Sequence, residues 1–328
     1  MTAESPKADR LRTAGTMSPL AFLRRNTILV LILLLLVFVA GIEVMRPGTV
    51  NATWGSNALL FAAPLGILAA GQTLVMLTGG IDLSVAAVAT GSAYVLATTA
   101  SLGSGMAVVL GLSLGLVVGL INGIGIAILG VQPLVMTLGT GLMTGGVLTV
   151  YSQQMLASQP RVPDFIQALG SAKMLGLVPY DLLLWCPLAV LMIFGLGRTG
   201  FGRLLYAIGD NREACKLAGV RIWQVLLVDY ILCSLLAAIG GLVLVGGTNA
   251  ADLSLADLYL LPSVAAVIIG GTSIFGGRGG YAGTIVGALI LTVLTSILTL
   301  MDASEPVKQI LYGAIILLLA AAYARLTD

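Results

Sequence analysis

The sequence predicts an all-α, polytopic integral membrane protein of about ten transmembrane helices, and three observations predict it: composition, the spacing of apolar runs and the placement of basic residues. Of 328 residues, 58% are hydrophobic and only 9% charged, with a mean hydropathy of +1.06. A water-soluble globule carries about a quarter charged residues. The formal net charge of +2 implies neither nucleic acid nor an acidic substrate.

The elements follow in order. A polar, basic tail (1–26) precedes TILVLILLLLVFVAGIEVM, which has about the 20 residues that a bilayer crossing needs. That run is too long for the apolar core of a signal peptide, about 7 to 15 residues, so it reads as a first span at 27–46. Further spans are expected at 57–78, 82–100, 105–129 and 132–151. An exterior loop (152–180) separates these from spans at 181–197, 223–247, 257–273, 281–301 and 307–325, with 326–328 as the C-terminal end. Glycines at Gly79-Gly80, Gly139, Gly145-Gly146 and Gly270-Gly271 mark the third, fifth and eighth spans as candidates for broken or re-entrant segments.

Basic residues test the count. With a cytoplasmic amino terminus, only Arg46, Arg161, Lys173 and Lys308 of the 16 Lys and Arg lie outside, as the positive-inside rule requires. Trp54, Trp185 and Trp223 fall at predicted span ends, where amphipathic rings prefer to lie. Five spans per half is an odd number, so two halves sharing one fold must be inverted relative to each other.

Glycine numbers 42. Gly111, Gly115, Gly119 and Gly123 form a stripe that serves close helix packing or, alternatively, faces a pore. Gly79, Gly80, Gly270, Gly271, Gly276, Gly277 and Gly279 read as structural turns. GGTSIFGGRGG (270–280) is not a phosphate loop, since no glycine-rich run precedes a Lys-Ser/Thr pair. Cys186, Cys215 and Cys233 suit packing rather than a disulfide framework. Histidine is absent, no metal-ligand constellation or nucleophile–base cluster stands out, and no cofactor or enzymatic activity is expected.

The segment 198–222, RTGFGRLLYAIGDNREACKLAGVRI, carries five Lys/Arg between two apolar runs. Asp210 or Asn211 can cap a short helix, Glu213 sits in its first turn, Ala214, Leu217 and Ala218 favour it, and Gly219 can end it. Such an insert either docks a soluble partner or is a solvated linker whose charges set topology. Asp82, in GGIDLSVAAVATG, either accepts backbone N–H groups at the start of the next helix or serves as a gate or substrate contact. The neutral polar residues Gln72, Thr73, Asn122, Gln132, Thr137, Thr140 and Asn249 are, with Asp82, the candidates for lining a pathway. Each of the neutral residues can equally be a helix-to-helix hydrogen bond, worth about 0.6 kcal/mol on average. Amides and hydroxyls suit a neutral polyol better than a charged cargo. An ion-coupled secondary transporter would need ionisable groups facing a cavity; only Glu43, Asp82 and Asp229 are available, all near span ends. A passive channel does not account for the central insert.

GGIDLSV, AIGDNREACKLAGVRI and PSVAAVIIGGTSIFGGRGGYAGTIVGALIL, in this order and spacing, resemble segments of the ribose/galactose-type ABC transporter permeases, within the wider family that includes branched-chain amino-acid importers. The resemblance runs from about the second span to the tenth. It implies that Gly209, Asp210, Asn211, Glu213, Ala214, Leu217, Ala218 and Gly219 form a coupling helix seated on an ATP-binding subunit, with Ala214-Cys215 where the family usually has two alanines. It further implies a second permease chain, identical or paralogous, a periplasmic sugar-binding protein, and a bacterial inner membrane with both termini cytoplasmic. Transport of branched-chain amino acids is the alternative within the family.

Overall fold

The computed structural model describes residues 27–155 and 160–327; the basic tail 1–26, residues 156–159 and residue 328 lie outside the described residues. The elements are α1 (Thr27–Met45), α2 (Ala52–Leu77), α3 (Val85–Thr98), α4 (Ser104–Ala127), α5 (Pro133–Gln154), α6 (Asp164–Ser171), the short antiparallel strands β1 (Lys173–Met174) and β2 (Val178–Pro179), then α7 (Leu182–Arg198), α8 (Gly200–Asp210), α9 (Arg212–Leu217), α10 (Ile222–Thr248), α11 (Leu260–Ile269), α12 (Tyr281–Leu300) and α13 (Glu305–Thr327). The fold is all-α.

Helices occupy all ten predicted positions, but they are not ten equal crossings. Among the described residues, six are long and apolar enough to cross a membrane: α1, α2, α4, α5, α10 and α12. A seventh crossing arises if α7 and α8, bent by 66° at their junction, count as one span. The third and eighth segments are short, with 14 residues in α3 and 10 in α11, below the roughly 20 that a full crossing requires. The fifth segment is a continuous 22-residue helix, α5. Its Gly139, Gly145 and Gly146 have no neighbour within 4 Å of an added Cβ; each weakens helix propensity by about 1 kcal/mol without removing a backbone hydrogen bond.

The longest helices, α2 and α10, form the axis. Their apolar windows are 83% and 72% buried, against 11% for α1. Glycine makes the approach to α10 possible. A Cβ at Gly115 would stand 2.8 Å from Ser234 O, one at Gly119 2.8 Å from Ile231 Cα, and one at Gly123 3.0 Å from Leu227 O. The α4 stripe therefore packs backbone to backbone on α10, and the pore-facing reading falls. Gly71 of α2 meets Cys233 O in the same way, at 2.9 Å, while Gly241 and Gly246 of α10 abut the carbonyls of Ala89 in α3 and Ile166 in α6. Trp185 departs from the interfacial position expected of it. It is 4% exposed, lies on Gly66, and donates from Nε1 to the Tyr281 hydroxyl at 2.8 Å, which donates in turn to Gly66 O at 2.8 Å. Burial is possible because this chain satisfies both polar groups, and it ties α2, α7 and α12 together.

A two-part correspondence runs through the element order. Each half has a long helix (α2, α10) followed by a short one (α3, α11) and then a long one (α4, α12). α10 packs on α3 and α4, and α2 packs on α11 and α12. Two sequence echoes accompany it: SVAAVATG (84–91) beside SVAAVIIG (263–270), and Asp-Leu-Ser at both 82–84 and 252–254. In both Asp-Leu-Ser turns the aspartate Oδ1 accepts from the serine N–H at 2.8 Å and from the serine hydroxyl. These parallels support two related halves.

Gly241→Val should force the α10–α3 contact apart and lower stability by about 1–3 kcal/mol, the usual cost of overpacking. Thermal unfolding of the detergent-solubilised protein measures it. Gly145→Ala, in open space, should leave the transition unchanged or slightly raised.

Candidate functional site

Three arrangements carry chemistry. The first is the insert between α7 and α10. The Thr199 hydroxyl oxygen accepts from Gly202 N at 3.1 Å and so starts α8 directly after the bend. A Cβ at Gly202 would collide with the carbonyls of Gly195 and Leu196, so the bend requires glycine. Asn211, rather than Asp210, caps α9, its Oδ1 accepting from Ala214 N at 2.9 Å. Gly219, at φ +78°, ends it, with Gly219 N donating to Lys216 O and Val220 N to Cys215 O, both at 3.0 Å. Cys215 is the buried residue of this short helix. Asn211, Glu213, Ala214, Ala218 and Gly219 are exposed, and Leu217 is 88% exposed.

Gly209 is different from the rest of that set. It is wedged against Leu77 O and Gly277 N, at a point where three turns meet. Gly277 N donates to Leu77 O at 3.0 Å. Cβ atoms at Gly276 and Gly277 would come within about 3 Å of Gly79 N and Asp210 N, and Tyr206 donates to Gly279 O at 3.0 Å. Gly79, Gly271, Gly276, Gly277 and Gly279 all have positive φ, a region that side chains with a Cβ avoid. Gly80 lies under the Tyr230 hydroxyl and Gly270 against Gly283 of α12. The turn ending α2, the last turns of α8 and the 270–280 loop are thus one junction.

The second arrangement is a buried polar knot around the 78–84 turn. Gln72 donates from Nε2 to Asp82 O at 2.6 Å and accepts from Asp82 N at 3.3 Å. Asp82 Oδ1 holds Ser84; the Ser84 hydroxyl accepts from Asn122 Nδ2 at 2.9 Å; and Asn122 Oδ1 accepts from Thr140 at 2.6 Å. Thr137 accepts from Leu83 N at 3.0 Å. Gln72, Asp82, Asn122, Thr137 and Thr140, separate in sequence, are therefore gathered from α2, α4, α5 and the turn, at 5% exposure or less. Thr73 is buried elsewhere, on Thr284 of α12 at 2.9 Å. Gln132 and Asn249 are exposed beside helix ends and do not join the knot. Asp229 accepts from Thr78 at 3.1 Å. Glu43 instead closes a loop, accepting from Gly48 N at 2.7 Å and Val50 N at 3.0 Å. Among the described residues no group of His, Cys, Asp or Glu is placed to hold a metal ion. In the exposed Asp252 turn, the Ser254 N–H and hydroxyl hold the carboxyl below the usual carboxylate range.

The third arrangement is a cleft of about 500 Å³ between the N-terminal half of α2 and α11, α12 and α13, lined by Trp54, Phe61, Tyr259, Thr292, Thr295, Ser296 and Thr299 among others. Sequence reasoning missed it. The available signal was four hydroxyl residues spaced i, i+3, i+4 and i+7 along α12, which places them on one helix face.

The chain thus combines polytopic helices, a capped and exposed insert, and a buried knot of amides and hydroxyls. Residues 55–320 match the family described as branched-chain amino acid transport system, permease component, and the chain belongs to that family. It is 34% identical over 293 residues to the ribose import permease of Bacillus subtilis, covering 87% of this chain and 88% of that one. It is 32% identical over 271 residues to the fructose import permease of Rhizobium meliloti, 79% and 74% of the two chains. Against the galactofuranose transporter permease of Escherichia coli it is 34% identical over 270 residues, 78% and 75%. No solved structure matches it. The chain is a membrane-spanning permease subunit of an ABC import system, not an enzyme.

Asn122→Leu should remove the amide bridge between the Ser84 and Thr140 hydroxyls, which keep Asp82 and the Met136 and Thr137 carbonyls as partners, and cost about 0.5–1.5 kcal/mol for each bond lost. The shift in thermal unfolding checks this. Gln132→Ala, at an exposed position, should leave the transition in place.

Proposed function

We propose that this subunit forms the translocation pathway of an ATP-driven importer for a neutral monosaccharide or related polyol. It works in a bacterial plasma membrane with both termini cytoplasmic: tail 1–26 inside, membrane domain 27–325, exterior loop 152–180, coupling loop 198–222 and end 326–328. A separate ABC ATPase binds and hydrolyses ATP. A second permease chain, identical or paralogous, completes the pathway, and a periplasmic binding protein delivers the sugar to the exterior loop.

The observation that carries this reading is α9. A short helix held at both ends, with Leu217 projecting from it, supports the docking reading over that of a solvated linker, because a large apolar side chain is left uncovered. Asn211, Glu213, Ala214, Leu217, Ala218 and Gly219 would meet the ATPase, while Gly209 and Asp210 pass its displacement to the junction with Leu77 and Gly277. Asp82, Gln72, Asn122, Thr137 and Thr140 hold the turn at the end of α2, and Gln132, Asn249 and Thr73 remain candidates for the pathway wall. The family description names branched-chain amino acids, but the relatives covering most of this chain are named for ribose and fructose, which favours a sugar.

Glu213→Arg opposes the positive end of the α9 dipole; together with Leu217→Asp it should leave expression near normal while reducing ATPase co-purification at least about tenfold, the equivalent of 1.4 kcal/mol. Undiminished co-purification places docking elsewhere. In cells with the intact system, unlabelled pentoses, hexoses or polyols should compete for uptake, whereas leucine and sugar phosphates should not. Competition by leucine instead moves the cargo to the amino-acid branch.

A further inference from the structure

We infer that the cleft between α2, α11, α12 and α13 is a binding site for a neutral polyol, where the transported sugar is held as it enters the pathway that this subunit forms with a second permease chain. The inference rests on the sugar-importer reading and adds the site to it. Its volume, about 500 Å³, falls within the range of small-molecule sites, about 300–1,000 Å³.

The chemistry of the walls points to a polyol. The α12 hydroxyls donate their protons back into their own helix: Thr292 to Ala288 O at 2.9 Å and Ser296 to Thr292 O at 3.1 Å. Thr295 and Thr299 are also engaged, the first with the Tyr312 hydroxyl at 2.6 Å and the second with Lys308 Nζ at 3.1 Å. Thr292 and Ser296 therefore keep hydroxyl oxygens as acceptors for a ligand that brings its own donors. Tyr259, whose hydroxyl makes no hydrogen bond among the described residues, and Trp54 line the same cleft. They provide O–H and N–H donors together with flat apolar faces for the C–H side of a sugar ring. The carboxylate in the lining, Glu305, is paired with Lys308 at 2.7 Å. No unpaired charge faces the ligand among the lining residues, so a zwitterion or a phosphate would enter without a counter-charge.

The test uses the full complex in proteoliposomes, with permease, ATPase and binding protein, and labelled D-ribose and D-fructose as probes. Thr292→Val combined with Ser296→Ala should lower uptake of the transported probe about tenfold while ATP hydrolysis stays within about twofold of wild type. Thr292→Ser combined with Ser296→Thr should restore uptake. In a Cys186→Ser background, Ser296→Cys should react with a membrane-impermeant thiol reagent, more slowly when the transported sugar is present. Wild-type uptake by the Val/Ala variant overturns the site and leaves the importer reading standing. Failure of the thiol to react means that the cleft is closed to water, and also overturns the site. A wild-type complex that takes up neither probe, and whose uptake of leucine no neutral sugar inhibits, overturns the sugar reading itself and moves the cargo to the amino-acid branch.

Discussion

Close approach of backbones around α10 is the constraint from which the rest of the architecture follows. Helices in a bilayer gain little from hydrophobic association, because lipid tails are as apolar as leucine. Association instead depends on dispersion over a fitted surface, and here the fit is cut by missing Cβ atoms at Gly71, Gly115, Gly119, Gly123, Gly241 and Gly246. With α2, α3, α4 and α6 drawn onto one helix, polar side chains in the interior find partners among themselves or go without, as the Ser92, Tyr230 and Ser234 hydroxyls do. Gln72, Asp82, Ser84, Asn122 and Thr140 are consequently bonded to one another or to backbone. The knot is a result of the glycine packing, and it fixes the turn at the end of α2, next to the junction with Gly209 and Gly277.

The short helices α3 and α11 have a related cause. A helix that stops part-way leaves backbone groups that lipid cannot satisfy, so its ends must be enclosed by protein. α3 opens with the Asp82–Ser84 turn, buried under Asn122 and Thr137. α11 runs into Gly270, pressed against Gly283 of α12. Each short helix is sheltered by long helices of its own half and packed against the axial helix of the other.

Much of this was legible in the chain. Hydropathy located a helix at every predicted position, and the Gly111–Gly123 stripe disclosed a packing face. Gly79-Gly80 and Gly270-Gly271 flagged the two short segments because glycine at those spots interrupts an otherwise uniform apolar run. The same rule misled at Gly139 and Gly145-Gly146, since an exposed glycine weakens a helix without breaking it. Hydropathy windows also do not register that fourteen apolar residues are fewer than twenty when an apolar neighbour follows closely. The knot was half visible: its residues stood out one by one, but which of them share a cluster depends on helix rotation, and the near absence of amphipathic contrast in these helices hides rotation from the sequence. The cleft went unnoticed because threonine and serine in a membrane helix bond their own carbonyls so routinely that their spacing draws no attention.

The hydrogen bond from Gly277 N to Leu77 O has a mechanical meaning. It satisfies a carbonyl in the last turn of α2 with a donor from the other half of the chain, so the C-terminal end of that helix is stitched across the molecule. The opposite end, 26 residues away and about 39 Å at 1.5 Å per residue, borders the open cleft. Between the two ends α2 is buried from Ala62 to Leu77 and gripped at Gly66 by Tyr281, with Pro64 beside the grip, so the exposed first turns can hinge there against the packed remainder. Motion imposed at the glycine junction would thus reach the cleft only through that hinge, which makes the first turns of α2 the movable wall of the aperture.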